Sequence, residues 1–136
     1  MDHLPKQAKV VIIGGGVIGC SVAYHLSKLG WQDIVLLERK QLTSGTTWHA
    51  AGLIGQLRAT LNMTKLAMYS TELYNNLESE TGIATGYKRN GSLSLALTEE
   101  RFEELRRGAS MARNFGLETE ILLSLIHISE PTRPLH

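Results

Sequence analysis

The chain has one cysteine in 136 residues, Cys20, so no internal disulfide can staple it, which suits a reducing compartment. Neither sign of charge is in excess. Fourteen basic and 13 acidic residues leave a formal net charge of +1, which removes the electrostatic case for nucleic acid or an anionic membrane as partner. No apolar run reaches about 18 unbroken residues, so nothing in the sequence reads as a bilayer-spanning helix. The longest apolar stretch, Val10 to Ala23, follows Lys6 and Lys9 and ends like a lipoprotein signal in Val-Ile-Gly-Cys before Ser21. Four glycines interrupt it, and cleavage there would leave the downstream strand and acid unexplained. Repeats, low-complexity tracts and metal-ligand sets are also missing. With 20% charged and 43% hydrophobic residues, the composition is that of an ordinary globular domain.

What is present reads as α/β. Val10 to Ile13 is a short β-branched run of the kind buried in a parallel sheet. Ile18, Val22, Leu26 and Leu29 then recur at helical spacing, predicting a helix that buries this stripe and stops at Gly30. Ile34 to Leu37 is a second apolar strand, closed by Glu38. Residues 39–55 lack periodicity and read as an ordered loop with a turn of helix near Ala50. A second helix is predicted from about Met63, with Leu66, Tyr69, Leu73 and Leu77 as its apolar stripe, ending before Gly82. Ser92 to Thr98 alternates with period two and reads as a strand with Leu93, Leu95 and Leu97 on one face. Thr98 then caps a third helix with Glu99 and Glu100 in its first turn. Phe102, Leu105, Ala109, Ala112 and Phe115 form its buried stripe, and Gly116 ends it. A last strand is expected near Ile121.

Gly14, Gly16 and Gly19 form G-x-G-x-x-G directly after a strand and at the start of a helix, with Glu38 placed 24 residues after Gly14 at the end of the next strand. The first glycine permits the tight turn, the second lets backbone approach a pyrophosphate, and the third lets helix and strand pack closely. The helix N-terminus offers unpaired N–H groups and a positive dipole end to phosphate. Glu38 can accept hydrogen bonds from ribose hydroxyls and would repel a 2′-phosphate. The pattern is that of a Rossmann-like dinucleotide-binding βαβ unit.

The stretch TSGTTWHAAGLIG, residues 43–55, chooses between dinucleotides. An NAD-type unit continues after the acid into another amphipathic helix and a third strand. This chain instead enters a loop rich in Gly, Ser and Thr, where Ser44, Gly45, Thr46 and Thr47 can meet the pyrophosphate and ribityl chain of FAD. An NAD-dependent dehydrogenase is the less favoured reading for that reason.

Together, VVIIGGGVIGCSVAYHLSKLG, IVLLE and TSGTTWHAAGL resemble the N-terminal FAD-binding segment of the sarcosine and dimethylglycine dehydrogenase family, among the D-amino-acid-oxidase-like flavoproteins. The likeness runs on through ELYNNLESETGIATGYKRNGSLSLAL and weakens past Leu122. The fingerprint is common to many flavoproteins, whereas the Trp48-His49 pair is far more diagnostic. The resemblance implies FAD held covalently through a ring nitrogen of His49, with neutral imidazole a competent nucleophile near neutral pH. It further implies oxidation of an N-methylated glycine by hydride transfer to flavin, giving an iminium that is hydrolysed or passed to tetrahydrofolate. The partners implied are a small-molecule amine and an electron acceptor that the residues do not specify, with no nucleic acid and no membrane. The catalytic base and the amine-binding groups lie outside these residues. Trp48 is expected to be an aromatic plug beside the ring; Cys20 and His25 are expected to be packing or surface residues. The alternative is a non-catalytic regulator resembling the pyruvate dehydrogenase phosphatase regulatory subunit, in which the Trp-His pair is expected to be missing.

These readings divide the chain into an FAD-binding βαβ unit with its flavin loop, residues 1–60, and a helical connection that begins a substrate domain, residues 61–123. The fold is expected to be truncated. Residues 124–136, SLIHISEPTRPLH, depart from the family pattern and resemble translated adapter sequence. A fragment of this kind, expressed alone, is expected to bind FAD poorly and turn over no amine. With eight residues before Lys9, a cytoplasmic protein is expected, or a mitochondrial-matrix one where a transit segment precedes Met1.

Overall fold

The structure is a computed structural model that describes residues 5–123; the expectation about residues 124–136 lies outside them. The described residues fall into two compact units that divide between Leu53 and Ile54.

The first unit is the βαβ element: β1 (Val10–Ile13), α1 (Val17–Lys28) and β2 (Ile34–Leu37). The strands pair in parallel with Val10 opposite Ile34 and Ile13 opposite Leu37. A parallel pair needs a crossover, and α1 supplies it. The helix closes on a paired-bond C-cap in which Trp31 N–H donates to Leu26 O and Gly30 N–H to Ser27 O, both 3.0 Å, turning the chain back toward β2. One expectation fails here. Ile18 is 78% exposed and Leu29 75%, and Val22 is exposed too, so of the apolar stripe on α1 only Leu26 is partly covered. The side of the helix next to the strand carries Gly19, above Ile12, because only a residue without a Cβ lets the helix axis come this close. After β2 the chain runs as a loop containing one 3-10 turn, Thr46–His49, directly before Ala50.

In the second unit α2 spans Leu61–Thr81, starting earlier than its apolar stripe suggests because the Thr60 hydroxyl accepts the Met63 N–H. Its buried residues are Thr64, Ala67 and Thr71, whereas Leu66 and Tyr69 are more than half exposed, which displaces the expected stripe. Thr64 explains the rotation. Its hydroxyl accepts from Arg58 N–H at 3.0 Å and donates to Arg58 O at 3.3 Å, drawing that face against the preceding segment. The third helix, α3 (Glu99–Asn114), follows its sequence pattern. Thr98 caps it, Ala112 is fully buried, Phe102, Leu105, Ala109 and Phe115 are half-buried, and Gly116 N–H and Leu117 N–H close its end on Arg113 O and Ala112 O.

The strand expected at 92–98 is not formed, nor is one near Ile121. A strand is defined by a neighbour that takes its hydrogen bonds, and among the described residues β1 and β2 pair with each other alone. Leu93, Leu95 and Leu97 are exposed, Leu97 at 93%. The described residues bury only four side chains, those of Thr64, Ala67, Thr71 and Ala112, and three of these are small residues from a single helix.

Candidate cofactor site

The site is built on the turn between β1 and α1. Gly14 has φ +107°, a conformation closed to residues with a Cβ, and its N–H donates to Leu37 O at 2.8 Å, tying the turn to the end of β2. Gly19 sits so close to the turn that a Cβ built on it would collide with the Gly14 carbonyl oxygen. Cys20 N–H makes the first α-helical bond, to Gly16 O at 3.0 Å, and the Cys20 thiol points to Gly15 O. His25 bonds within its own helix, Nδ1 to Ser21 O at 2.7 Å.

Gly15, an unspecified position of the fingerprint, is the residue that sequence reasoning missed. It is buried, and a side chain there would strike Leu42 and Glu38. Its N–H donates to Glu38 Oε2 at 2.8 Å, and Lys40 N–H donates to Glu38 Oε1 at 2.9 Å. A carboxylate has about four acceptor directions, so two remain for the hydroxyls of a ribose. The Gly15 N–H, then the Lys40 N–H, hold the Glu38 carboxyl below its ordinary 4.5, with a smaller contribution from the Arg39 backbone and charge. A depressed carboxylate stabilises the fold when ionised: the contribution is complete above pH 4.5 and is lost as pH falls through the lowered value. The Gly15 amide resonance of the folded protein should therefore titrate with a midpoint below 4.5. Movement centred above that pH would contradict the latch.

The loop after β2 folds back on this turn. Thr43 N–H donates to Gly15 O at 2.9 Å, and the Thr47 hydroxyl accepts from Val17 N–H at 2.9 Å across 30 residues of sequence. The structure thus brings Gly14, Gly16, Gly19, Glu38 and Thr47 together. Ser44, Gly45 and Thr46 lie exposed on the same loop without a side-chain bond to the turn. His49 ends the 3-10 turn two residues beyond Thr47, exposed, and no described contact engages its ring. Trp48 is 78% exposed.

These residues fit a dinucleotide. Open space lies beside Gly14 and Gly45, where a Cβ would meet nothing within 4 Å. With Val17 N–H taken by Thr47, the N–H groups of Gly16, Ile18 and Gly19 keep no acceptor among the described contacts and are available to phosphate.

A βαβ unit with this turn, acid and loop defines a dinucleotide-binding protein, and comparison with known families sharpens the class. The chain belongs to the FAD dependent oxidoreductase family, whose model matches residues 9–133. It is 53% identical over 119 residues to the mitochondrial pyruvate dehydrogenase phosphatase regulatory subunit of Mus musculus, covering 88% of this chain and 14% of that one. It is 47% identical over 121 residues to the 4-methylaminobutanoate oxidase (formaldehyde-forming) of Paenarthrobacter nicotinovorans, 89% of this chain and 15% of the relative. With human mitochondrial sarcosine dehydrogenase it shares 47% over 120 residues, 88% and 13% of the two chains. The chain thus spans about one seventh of the length of these relatives. The L-amino acid deaminase from Proteus vulgaris has the same fold over 88% of this chain and 28% of its own, with a TM-score of 0.76 at 23% identity. No helix among the described residues is long and apolar enough to cross a membrane.

Proposed function

We propose that these residues form the FAD-binding start of a longer amine oxidoreductase that oxidises the N-methyl group of a small N-methylated amino acid, sarcosine or dimethylglycine. The observation that carries this reading is the Trp48-His49 pair on a loop that is bonded to the dinucleotide turn through Thr43 and Thr47. The names of two relatives, sarcosine dehydrogenase and 4-methylaminobutanoate oxidase, support an N-methylamine substrate. In this reading Gly14, Gly16 and Gly19 seat the pyrophosphate, Glu38 holds the ribose, and Ser44, Gly45, Thr46 and Thr47 line the path to the flavin. His49 would bond to the 8α carbon, the two electrons released passing to the flavin and from it to the electron acceptor, and so would keep the cofactor from dissociating. The bound flavin supplies the hydride acceptor. No described residue is assigned as catalytic base, and tetrahydrofolate, as acceptor of the released one-carbon unit, belongs to the parent protein.

Residues 1–60 are the FAD-binding unit in this proposal, and 61–123 lead into a substrate domain. Two compartments stay open for the parent protein, the cytoplasm and the mitochondrial matrix, and the names of two mitochondrial relatives support the second. The regulatory subunit, at 53% identity, supports a second reading in which the same fold serves a non-catalytic regulator. Mixing the full-length protein anaerobically with sarcosine or dimethylglycine decides between them. The enzyme reading predicts bleaching of the flavin band by at least one of the two. A band that persists with these and other secondary or tertiary N-methylamines overturns it.

A further inference from the structure

Four observations converge on Thr47. The residue that caps α1, Gly16, has no side chain to satisfy the first-turn N–H groups, and the Thr47 hydroxyl does this from 30 residues away, accepting from Val17 N–H at 2.9 Å. The space it occupies is reserved: a Cβ on Gly16 would stand 3.1 Å from Thr47 Oγ1. The same loop is fixed to the turn at two other points, by Thr43 N–H on Gly15 O and by the Leu42 side chain over Gly15. Finally, Thr43 lies at φ +64°, a left-handed conformation costly for a β-branched residue, which persists only where the surroundings enforce it.

We propose that Thr47 is a positioning residue, clasping the loop 42–49 to the N-terminus of α1 before any cofactor arrives. The hydroxyl acts through backbone: by holding Val17 N–H it fixes the 3-10 turn that carries Trp48 and His49, so cofactor meets a loop already in place. Ordering that loop then costs nothing at the moment of binding, which is the general benefit of a preorganised site. This goes further than listing Thr47 among the FAD contacts, and it rests on the FAD reading of the site.

The test uses the full-length protein in a His49→Ala background, where FAD exchanges freely, and compares Thr47, Thr47→Val and Thr47→Ser. In the FAD-free protein, Thr47→Val should speed hydrogen exchange of the Val17 amide, and FAD affinity should fall by about tenfold, the effect of one hydrogen bond. Thr47→Ser, which keeps the hydroxyl, should restore both to within about twofold. Unchanged exchange at Val17 in Thr47→Val would overturn the clasp, even if affinity fell, because Thr47 would then act by touching FAD directly. Equal loss in the serine and valine variants would overturn it too, because serine keeps the hydroxyl to which the clasp is assigned. If FAD binds neither this parent nor the protein with His49 intact, the FAD reading fails, while the exchange measurement still decides the clasp.

Discussion

Gly19→Ala should cost the full-length protein about a hundredfold or more in FAD affinity, the upper range for forcing a methyl group into a filled site. The new Cβ would run into the carbonyl oxygen of Gly14, a backbone atom with nowhere to retreat. Gly14 is held from its other side by its bond to Leu37 O and by the turn itself. Relief must therefore come from moving α1 off the sheet, which carries the N–H groups of Gly16 and Ile18 away from the phosphate position. Gly15→Ala is the control. Its methyl meets first the tip of Leu42, a flexible side chain that can rotate aside, and then Glu38 Cβ at 3.0 Å, which has to give by far less than the Gly14 carbonyl oxygen, so a loss well below that of Gly19→Ala is expected. Flavin content of the purified variants and titration of their apoproteins with FAD measure both. A Gly19→Ala protein that binds within threefold of the parent would show that the helix is not packed as described.

The second large effect is expected at His49. His49→Ala should abolish acid-stable flavin while leaving FAD bound, because none of the contacts of Gly14, Gly15, Glu38 or Thr47 passes through the imidazole. The ring is exposed and engaged by no described contact, so its removal neither opens a cavity nor strands a partner. After acid precipitation, the flavin absorbance of this variant should be entirely in the supernatant. A pellet that stays yellow would place the attachment elsewhere. Colourless native protein would make His49 a binding residue rather than an attachment site.

The βαβ unit was legible because each part rests on a local signal. Two short continuous apolar runs, a glycine turn and an acid at the second strand's end admit few arrangements, and the structure has them at Val10–Ile13, Val17–Lys28 and Ile34–Leu37. The facing of α1 was not legible in the same way. Hydropathy pointed to Ile18 and Val22, but close approach to a sheet is governed by size, and Gly19 took the contact with Gly14 and Ile12. Leu93, Leu95 and Leu97 show a different limit: alternation marks a face that can be buried, yet a strand also needs a neighbour, which the described residues do not supply. In the site, the glycines and Glu38 could be read from spacing. The bond from Val17 to Thr47 could not, since nothing in the residues between them encodes where the loop returns. Gly15 was hidden for another reason: the fingerprint leaves its position unspecified, and its burial under Leu42 and Glu38 depends on that same return.

The most direct test of the account is the mass of one peptide. Trypsin cuts after Lys40 and Arg58, releasing Gln41–Arg58, a peptide with His49 as its single histidine. In the purified full-length protein it should carry one FAD less two hydrogen atoms, since the new bond replaces one hydrogen on the imidazole nitrogen and one on the 8α carbon. Fragment ions should place the added mass on His49. An unmodified Gln41–Arg58 peptide, with all flavin released free by acid or attached to another peptide, would contradict the assignment of His49.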